Sequence, residues 1–158
     1  FAQRQEWNHD LSLDWHLLEQ GPHAGVQNLI RDLNRVYREL PALHQLDCDG
    51  RGFEWIESEN SGQSILAYLR KGEEGVAPVL VVVNLTPAAY SDYQIGVPKP
   101  GDYRECLNTD SEHYGGSNMG NVGGLQAKEE AFGGQPCHLS LCIPPLATVI
   151  FAWQAPSK

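Results

Sequence analysis

Residues 6 to 18 hold the side chains of this chain that are best suited to bind a carbohydrate. Trp7 and Trp15 stand there among acidic, amide and imidazole groups, namely Glu6, Asn8, His9, Asp10, Asp14 and His16. An indole ring can stack on the C–H face of a sugar, while carboxylates and amides take up its hydroxyls. The alternative is a surface turn whose tryptophans anchor it to the core, because large aromatic side chains are highly buried on average.

Several motifs along the chain carry a resemblance to a known family. The most specific are Glu6-Trp7-Asn8-His9-Asp10, Leu107-Asn108-Thr109-Asp110, Tyr114-Gly115-Gly116-Ser117 and Pro144-Pro145-Leu146-Ala147-Thr148. In these motifs, and in their order and separation, the chain resembles the C-terminal region of glycogen (1,4-α-glucan) branching enzymes of the amylase superfamily. The resemblance covers nearly all 158 residues. Arg4-Gln5 departs from the family pattern, in which a small or aromatic residue precedes an arginine.

The resemblance implies a division of the chain. Residues 1–45 would be the last loop and helix of a (β/α)₈ catalytic barrel, and residues 46–158 an amylase-type C-terminal all-β domain. The parent enzyme would cut an α-1,4-glucan and transfer the piece to a 6-hydroxyl, which makes an α-1,6 branch in glycogen. Its partners would be the glucan and the barrel of the same chain. The chain begins with Phe1 rather than Met, so we expect a piece of a longer protein.

The same resemblance gives a substrate site without catalytic residues. Trp7, Asn8 and Trp15, with Glu6 and Asp14, would line or support the substrate cleft, because barrel active sites are built from the loops that follow the strands. A retaining transglycosylase needs two carboxylates about 5 Å apart. In this family they lie on earlier barrel strands, and Asp10 matches the later loop instead. We therefore expect the isolated chain to be inactive.

Charge and spacing argue against several other classes of protein. The net charge of -9 disfavours nucleic-acid binding, which needs clustered Lys and Arg. No apolar run approaches about 18 residues, and no signal peptide is visible, so we expect no membrane span and a cytoplasmic location. The histidines and cysteines lack metal-ligand spacing, so no metal or other cofactor is predicted, and the four cysteines are expected to be free thiols.

A helix must connect the aromatic loop to the rest of the chain. Apolar residues at helical spacing predict it from about Pro22 to Leu40, with a stripe formed by Val26, Leu29, Ile30, Leu33, Val36, Tyr37 and Leu40. Gly21-Pro22 suits a helix entry, and Pro41 ends it. If the barrel is missing, part of this stripe is exposed, and we expect the chain either to self-associate through the helix or to leave residues 1 to about 20 poorly ordered.

From Leu46 onward the pattern changes to short β runs. Seven strands are predicted, at Phe53–Glu57, Ser64–Lys71, Val79–Leu85, Tyr93–Val97, Tyr103–Leu107, Cys137–Ile143 and Thr148–Trp153. Together they predict a mainly β fold, an antiparallel β-sandwich preceded by a loop and one long helix. The apolar run from Val79 to Val83 predicts a central strand, and residues 108–135 a long excursion.

Three finer expectations concern packing. Trp55 is predicted to face the core, because it alternates with Glu54 along its strand. The last two strands are predicted to pair as a hairpin around Pro144-Pro145-Leu146. Their apolar residues should lie mostly in the sandwich core or against the helix: Leu139, Leu141, Ile143, Val149, Phe151 and Trp153.

Two other functions stay open at this stage. The sandwich could be a non-catalytic glucan-binding module that uses exposed aromatic rings, the candidates being Tyr90, Tyr93, Tyr103 and Tyr114. It could instead be a purely structural domain that caps the barrel.

Overall fold

The computed structural model of the chain describes residues 1–60 and 62–155. One long helix, α1 (Gly21–Glu39), precedes the strands. The strands are β1 (Phe53–Glu57), β2 (Ile65–Arg70), β3 (Val79–Asn84), β4 (Tyr90–Val97), β5 (Asp102–Asn108), β6 (Gly124–Gln126), β7 (Cys137–Ile143) and β8 (Thr148–Gln154). Short 3₁₀ helices lie at Trp15–Glu19, Pro41–Leu43, Gly50–Gly52 and Glu112–Tyr114.

The strands form two antiparallel sheets packed face to face. The larger has the order β1-β2-β3-β8-β5-β6, and the smaller consists of β4 and β7. Between them lies a core of aliphatic side chains with Tyr103 and Phe151. The antiparallel sandwich after one long helix is confirmed, and β3 lies inside the larger sheet as its apolar run predicted. The division between residues 45 and 46 remains a prediction.

Helix α1 covers the outer face of the larger sheet. Its residues Leu29, Leu33 and Val36 pack in a second apolar cluster with Val81 and Ile150 of the sheet. Pro22 lies in the first turn, where its missing N–H costs nothing, and the helix ends two residues before Pro41. The predicted helix is confirmed. Because its apolar stripe is wider than this contact, Ile30 and Tyr37 remain 51% and 46% exposed.

The predicted hairpin of the last two strands is wrong. Strand β7 pairs with β4 in the smaller sheet, whereas β8 lies between β3 and β5 in the larger one. The segment around Pro144 crosses from one sheet to the other, and the Asn84 side-chain amide donates to the Pro144 carbonyl at 2.8 Å to hold it. The core prediction for these strands is confirmed, with Trp153 packed at the margin of the core.

The prediction that Trp55 faces the core is also wrong. Its side chain is 51% exposed and meets the rings of Phe53 and Tyr68 edge-on, at centroid distances of 4.9 and 5.9 Å. Trp55 lies opposite Tyr68 in the ladder and shares its face, which points toward the side of α1. Ile56 packs against the core instead, and the register of β1 shifts between Trp55 and Glu57. Strand β6 was not predicted, because its three residues include a glycine and no β-branched side chain.

Candidate functional site

The aromatic loop lies at the surface before α1. Glu6, Trp7 and Asn8 are all exposed, and Trp7 is 81% exposed. The side-chain oxygen of Asn8 accepts the backbone N–H of Asp10 at 3.0 Å, which fixes a turn just after Trp7. Trp7 is therefore not a core anchor, and its ring is available for stacking.

Trp15 is held more firmly than Trp7. It begins the 3₁₀ helix Trp15–Glu19, is 54% exposed, and its ring centroid lies 5.4 Å from that of Phe1. The Nδ1 atom of His23 lies 2.8 Å from the Phe1 carbonyl oxygen. Since a carbonyl oxygen only accepts, Nδ1 carries the proton. The start of the chain thus packs back on α1 and supports one side of Trp15.

A cavity of about 470 Å³ opens where the loop meets the helices, and it is lined by Arg4, Gln5, Asp14, His16, Leu17, Gln20 and His23. Of the five predicted substrate residues only Asp14 lines it; Trp7, Asn8, Glu6 and Trp15 do not. Sequence reasoning missed His16, Gln20 and His23 as one group, although their spacing of four and three residues is typical of a helical face.

The chemistry that this cavity can perform follows from its lining. Asp14 is the one carboxylate among the lining residues, and its backbone N–H donates to the Gln3 side-chain oxygen at 3.4 Å. Glycosyl transfer with retention needs a pair of carboxylates. The cavity offers one carboxylate together with amides and imidazoles, and these groups can bind hydroxyl groups. It lacks the second carboxylate that the nucleophile and acid/base pair of this reaction requires. Within residues 1–60 and 62–155, no cluster of three His, Cys, Asp or Glu side chains is placed to bind a metal.

Behind the loop, α1 is tied to the long excursion between β5 and β6. The Tyr114 hydroxyl donates to the Asp32 carboxylate at 2.8 Å. This hydrogen bond, with the nearby Arg35 guanidinium, holds the pKa of Asp32 below its ordinary value. Burial and the same carboxylate raise the pKa of Tyr114 to about 12. A Cβ atom at Gly25 would collide with the Tyr114 backbone, so helix and excursion touch closely.

The excursion is organised around one carboxylate. Asp110 accepts the Ser117 backbone N–H at 3.0 Å, the Ser117 hydroxyl at 2.6 Å and the Met119 N–H at 3.1 Å. Burial of the Asp110 carboxyl opposes ionisation, but these donors outweigh it, and the pKa is lowered. The amide of Asn108 also donates to the Met119 carbonyl at 2.6 Å. Two of the motifs singled out in the sequence therefore build one hydrogen-bonded loop, called the Asp110 loop below.

Comparison with known proteins places this geometry in a family. Residues 55–154 match the family described as "Alpha amylase, C-terminal all-beta domain". The chain belongs to this family. That assignment agrees with the two antiparallel sheets that follow α1.

Relatives of this amylase-type domain extend the match to its flanks. The chain is 58% identical over 149 residues to "1,4-alpha-glucan branching enzyme GlgB" of Cereibacter sphaeroides, an alignment that covers 94% of this chain and 20% of the relative. The enzyme of the same name from Roseobacter denitrificans is 53% identical over 151 residues, with 96% and 21% covered. The chain spans about a fifth of the length of these relatives and is homologous to their C-terminal region.

The structure of the amylase-type domain also sorts the four tyrosines that could stack on a glucan. Tyr103 is 0% exposed, and its hydroxyl donates to the Lys99 carbonyl at 3.1 Å, so its predicted stacking role is wrong. The Tyr114 hydroxyl is already hydrogen-bonded to the Asp32 carboxylate. Tyr90 and Tyr93 are half-buried at the margin of the sandwich, with ring centroids 5.7 Å apart.

Proposed function

We propose that this chain is the C-terminal part of a 1,4-α-glucan branching enzyme, which transfers α-1,4-glucan segments to 6-hydroxyls and so makes α-1,6 branches in glycogen. The observation that supports this most is the 58% identity over 149 residues to a branching enzyme. We also propose that the parent enzyme acts on glycogen in the cytoplasm. Among residues 1–60 and 62–155, no helix has the length and apolar character to cross a membrane.

The exposed stripe of α1 supports a catalytic barrel as its partner in the parent protein. One side of the helix already packs on the sandwich, yet Ile30 and Tyr37 stay about half exposed on it. Exposed apolar residues that adjoin a packed stripe are typical of a surface that another part of the protein covers. A helix with both contacts would join the barrel to the sandwich.

The loop before α1 would form a rim of the glucan cleft in this proposal. Trp7 and Trp15 offer exposed rings for sugar faces. Glu6 and Asn8 lie beside Trp7, and Asp14 lines the adjacent cavity, so these polar groups are placed to take up hydroxyls. The nucleophile and the acid/base would come from outside this chain, which by itself would have no branching or hydrolytic activity.

The sandwich would hold the rim in place. Its most distinctive motifs form the Asp110 loop, and that loop reaches α1 through Tyr114. Because the side chains of these motifs bond to other parts of the same chain, we infer that they have a structural role, as in a domain that caps the barrel, and do not contact the substrate directly.

The rim role is tested with Trp7→Ala in the full-length enzyme, with Leu146→Ala as the matched control. Leu146 is an exposed apolar side chain in the turn before β8. Branching activity should fall in Trp7→Ala with an unchanged melting temperature, while Leu146→Ala changes neither. An activity that stays at the wild-type value in Trp7→Ala, or falls only together with the melting temperature, would contradict the rim role.

A further inference from the structure

The stretch before the aromatic loop is held by later parts of the chain. The Phe1 carbonyl oxygen accepts a hydrogen bond of 2.8 Å from Nδ1 of His23, and the Phe1 ring centroid lies 5.4 Å from that of Trp15. Two residues further on, the Gln3 side-chain oxygen accepts the Asp14 backbone N–H at 3.4 Å. Residues 1–3 therefore contact both α1 and the start of the 3₁₀ helix Trp15–Glu19.

The hydrogen bond from His23 is the firmer of these two polar contacts. Its length of 2.8 Å lies within the usual range for a nitrogen donor, whereas 3.4 Å exceeds that range. His23 is half-buried in the first turn of α1. This helix packs on the sandwich and is joined to the excursion by the hydrogen bond between Tyr114 and Asp32. His23 thus ties the segment beside Trp15 to a helix that is fixed elsewhere.

The backbone at Ala2 indicates that this segment is constrained. Its φ angle is +61°, in the left-handed region, where the Cβ atom of an L-residue comes close to its own backbone. A residue other than glycine keeps such a conformation where its surroundings impose it. Phe1 and Gln3, the two neighbours of Ala2, are the residues that the hydrogen bonds hold. The strained residue therefore lies between two anchored ones.

The indole of Trp15 depends on this segment for its packing. The Trp15 backbone N–H donates to the Leu13 carbonyl at 2.8 Å, which fixes the main chain but not the side chain. The indole is 54% exposed, and the ring that packs against it is that of Phe1. If Phe1 moved away, the indole would be free to change its rotamer. The orientation of the Trp15 ring is therefore set by the place of Phe1.

The two ring nitrogens of His23 separate a positioning role from direct contact with a ligand. His23 also lines the cavity beside Asp14. Within the described part of the chain, the hydrogen bond of its ring uses Nδ1 alone, so Nε2 remains for a ligand. Asparagine carries its amide nitrogen on the same side-chain atom as Nδ1, whereas glutamine places the amide one bond further out, closer to the position of Nε2. The two substitutions therefore distinguish the two roles.

We propose that His23 is a positioning residue for the branching reaction. Its Nδ1–H holds the Phe1 carbonyl, Phe1 packs on the Trp15 indole, and the indole is kept in one orientation before the substrate arrives. This inference rests on the proposed function, in which Trp15 belongs to the rim of the cleft. His23 itself does not touch the substrate in this arrangement.

The experiment compares three substitutions of His23 in the full-length enzyme. In His23→Ala the KM for amylose should rise about fivefold with kcat within about twofold of wild type, because only molecules with an ordered rim bind well. Backbone amides of residues 14–17 should exchange with D₂O about tenfold faster, as expected when one hydrogen bond is lost. His23→Asn should restore both values, and His23→Gln should not. The melting temperature should stay at the wild-type value in all three, since the contact is local.

His113→Ala is the matched control, because His113 is an exposed histidine in the excursion between β5 and β6, and it should change neither KM nor exchange. Three results would overturn the proposal. The first is wild-type KM and exchange in His23→Ala, and the second is rescue by Gln rather than by Asn, which would assign direct contact through Nε2. The third is an equal effect of His113→Ala.

The amide exchange is measured without glucan, so failure of this inference is distinguishable from failure of the proposed function. A full-length protein that makes no branches, but whose exchange at residues 14–17 is faster in His23→Ala and normal in His23→Asn, contradicts the proposed function alone. A branching enzyme in which His23→Ala leaves exchange and KM unchanged contradicts this inference alone.

Discussion

The hydroxyl of Tyr114 donates a 2.8 Å hydrogen bond to the carboxylate of Asp32, which joins residues 82 positions apart in the chain. One partner lies on α1, and the other lies in the excursion between β5 and β6. The contact ties the helix that supports the aromatic loop to the sandwich. The position of the loop therefore depends on residues far from it in sequence.

Replacing Tyr114 by Phe removes this hydrogen bond and keeps the ring. We expect the free energy of unfolding to fall by about 1–2 kcal/mol, because the partly buried Asp32 carboxylate loses a donor. Urea unfolding measures the change. Tyr37→Phe is the matched control, since Tyr37 is an exposed tyrosine on α1, the helix that carries Asp32, and it should stay within about 0.5 kcal/mol of wild type. Equal effects of the two substitutions would show that the Tyr114 hydroxyl stabilises nothing.

The Asp110 loop predicts a pH dependence. The pKa of Asp110 is lowered from its ordinary value of 3.8, so the stability that its ionised form contributes is present above that pH and is lost as the pH falls through the folded-state pKa. Asp110→Asn should therefore differ from wild type most at neutral pH, and the gap should narrow below about pH 4. Unfolding curves from pH 7 to 2 test this, with the exposed Asp92→Asn as control. A gap that is constant across this range would contradict the assignment.

Core packing predicts a large effect at Leu141. Its side chain is 1% exposed between the two sheets. Leu141→Ala should cost about 2–5 kcal/mol, through lost burial and the cavity that remains. The same substitution at Leu146, which is 69% exposed, should cost less than about 0.5 kcal/mol. A Leu141→Ala protein as stable as Leu146→Ala would mean that the core is not packed as described.

The uncovered face of α1 predicts self-association of the isolated chain. Ile30 and Tyr37 are outside the set of α1 residues that pack on the sandwich, and their side chains are about half exposed. Light scattering should show oligomers that form with increasing concentration, and Ile30→Glu should return the chain to monomers, because a charge cannot be buried unpaired at such a contact. Glu39→Gln on the same helix is a control that should leave the oligomers in place. A wild-type chain that is monomeric at high concentration would contradict this prediction.

Periodicity was enough to predict α1 and seven strands, because each is a run whose apolar residues repeat at one spacing. It failed at Trp55, where Ile56 took the inward position and the register of β1 shifts. It also failed at Pro144, because nothing in two adjacent apolar runs tells whether they pair in one sheet or cross to another. The long-range link between Tyr114 and Asp32 has no local signature at all.

The sequence pattern predicted only part of the candidate site at the aromatic loop. Two tryptophans among polar residues predicted a carbohydrate surface, and the exposed rings of Trp7 and Trp15 are compatible with it. The cavity beside Asp14 is lined by His16 of the 3₁₀ helix, by His23 of α1 and by Gln20, which lies at the junction of the two helices. A 3₁₀ helix and the long helix α1, which differ in pitch, bring these residues together, so their helical spacing alone did not single them out as a site.

We propose that this chain completes an enzyme that branches α-1,4-glucan. Proton NMR of amylose after incubation with the full-length protein measures α-1,6 linkages directly. We expect these linkages to accumulate with the full-length protein and to be absent with the isolated 158-residue chain. A full-length protein that forms no α-1,6 linkages, or an isolated chain that forms them, would contradict the account.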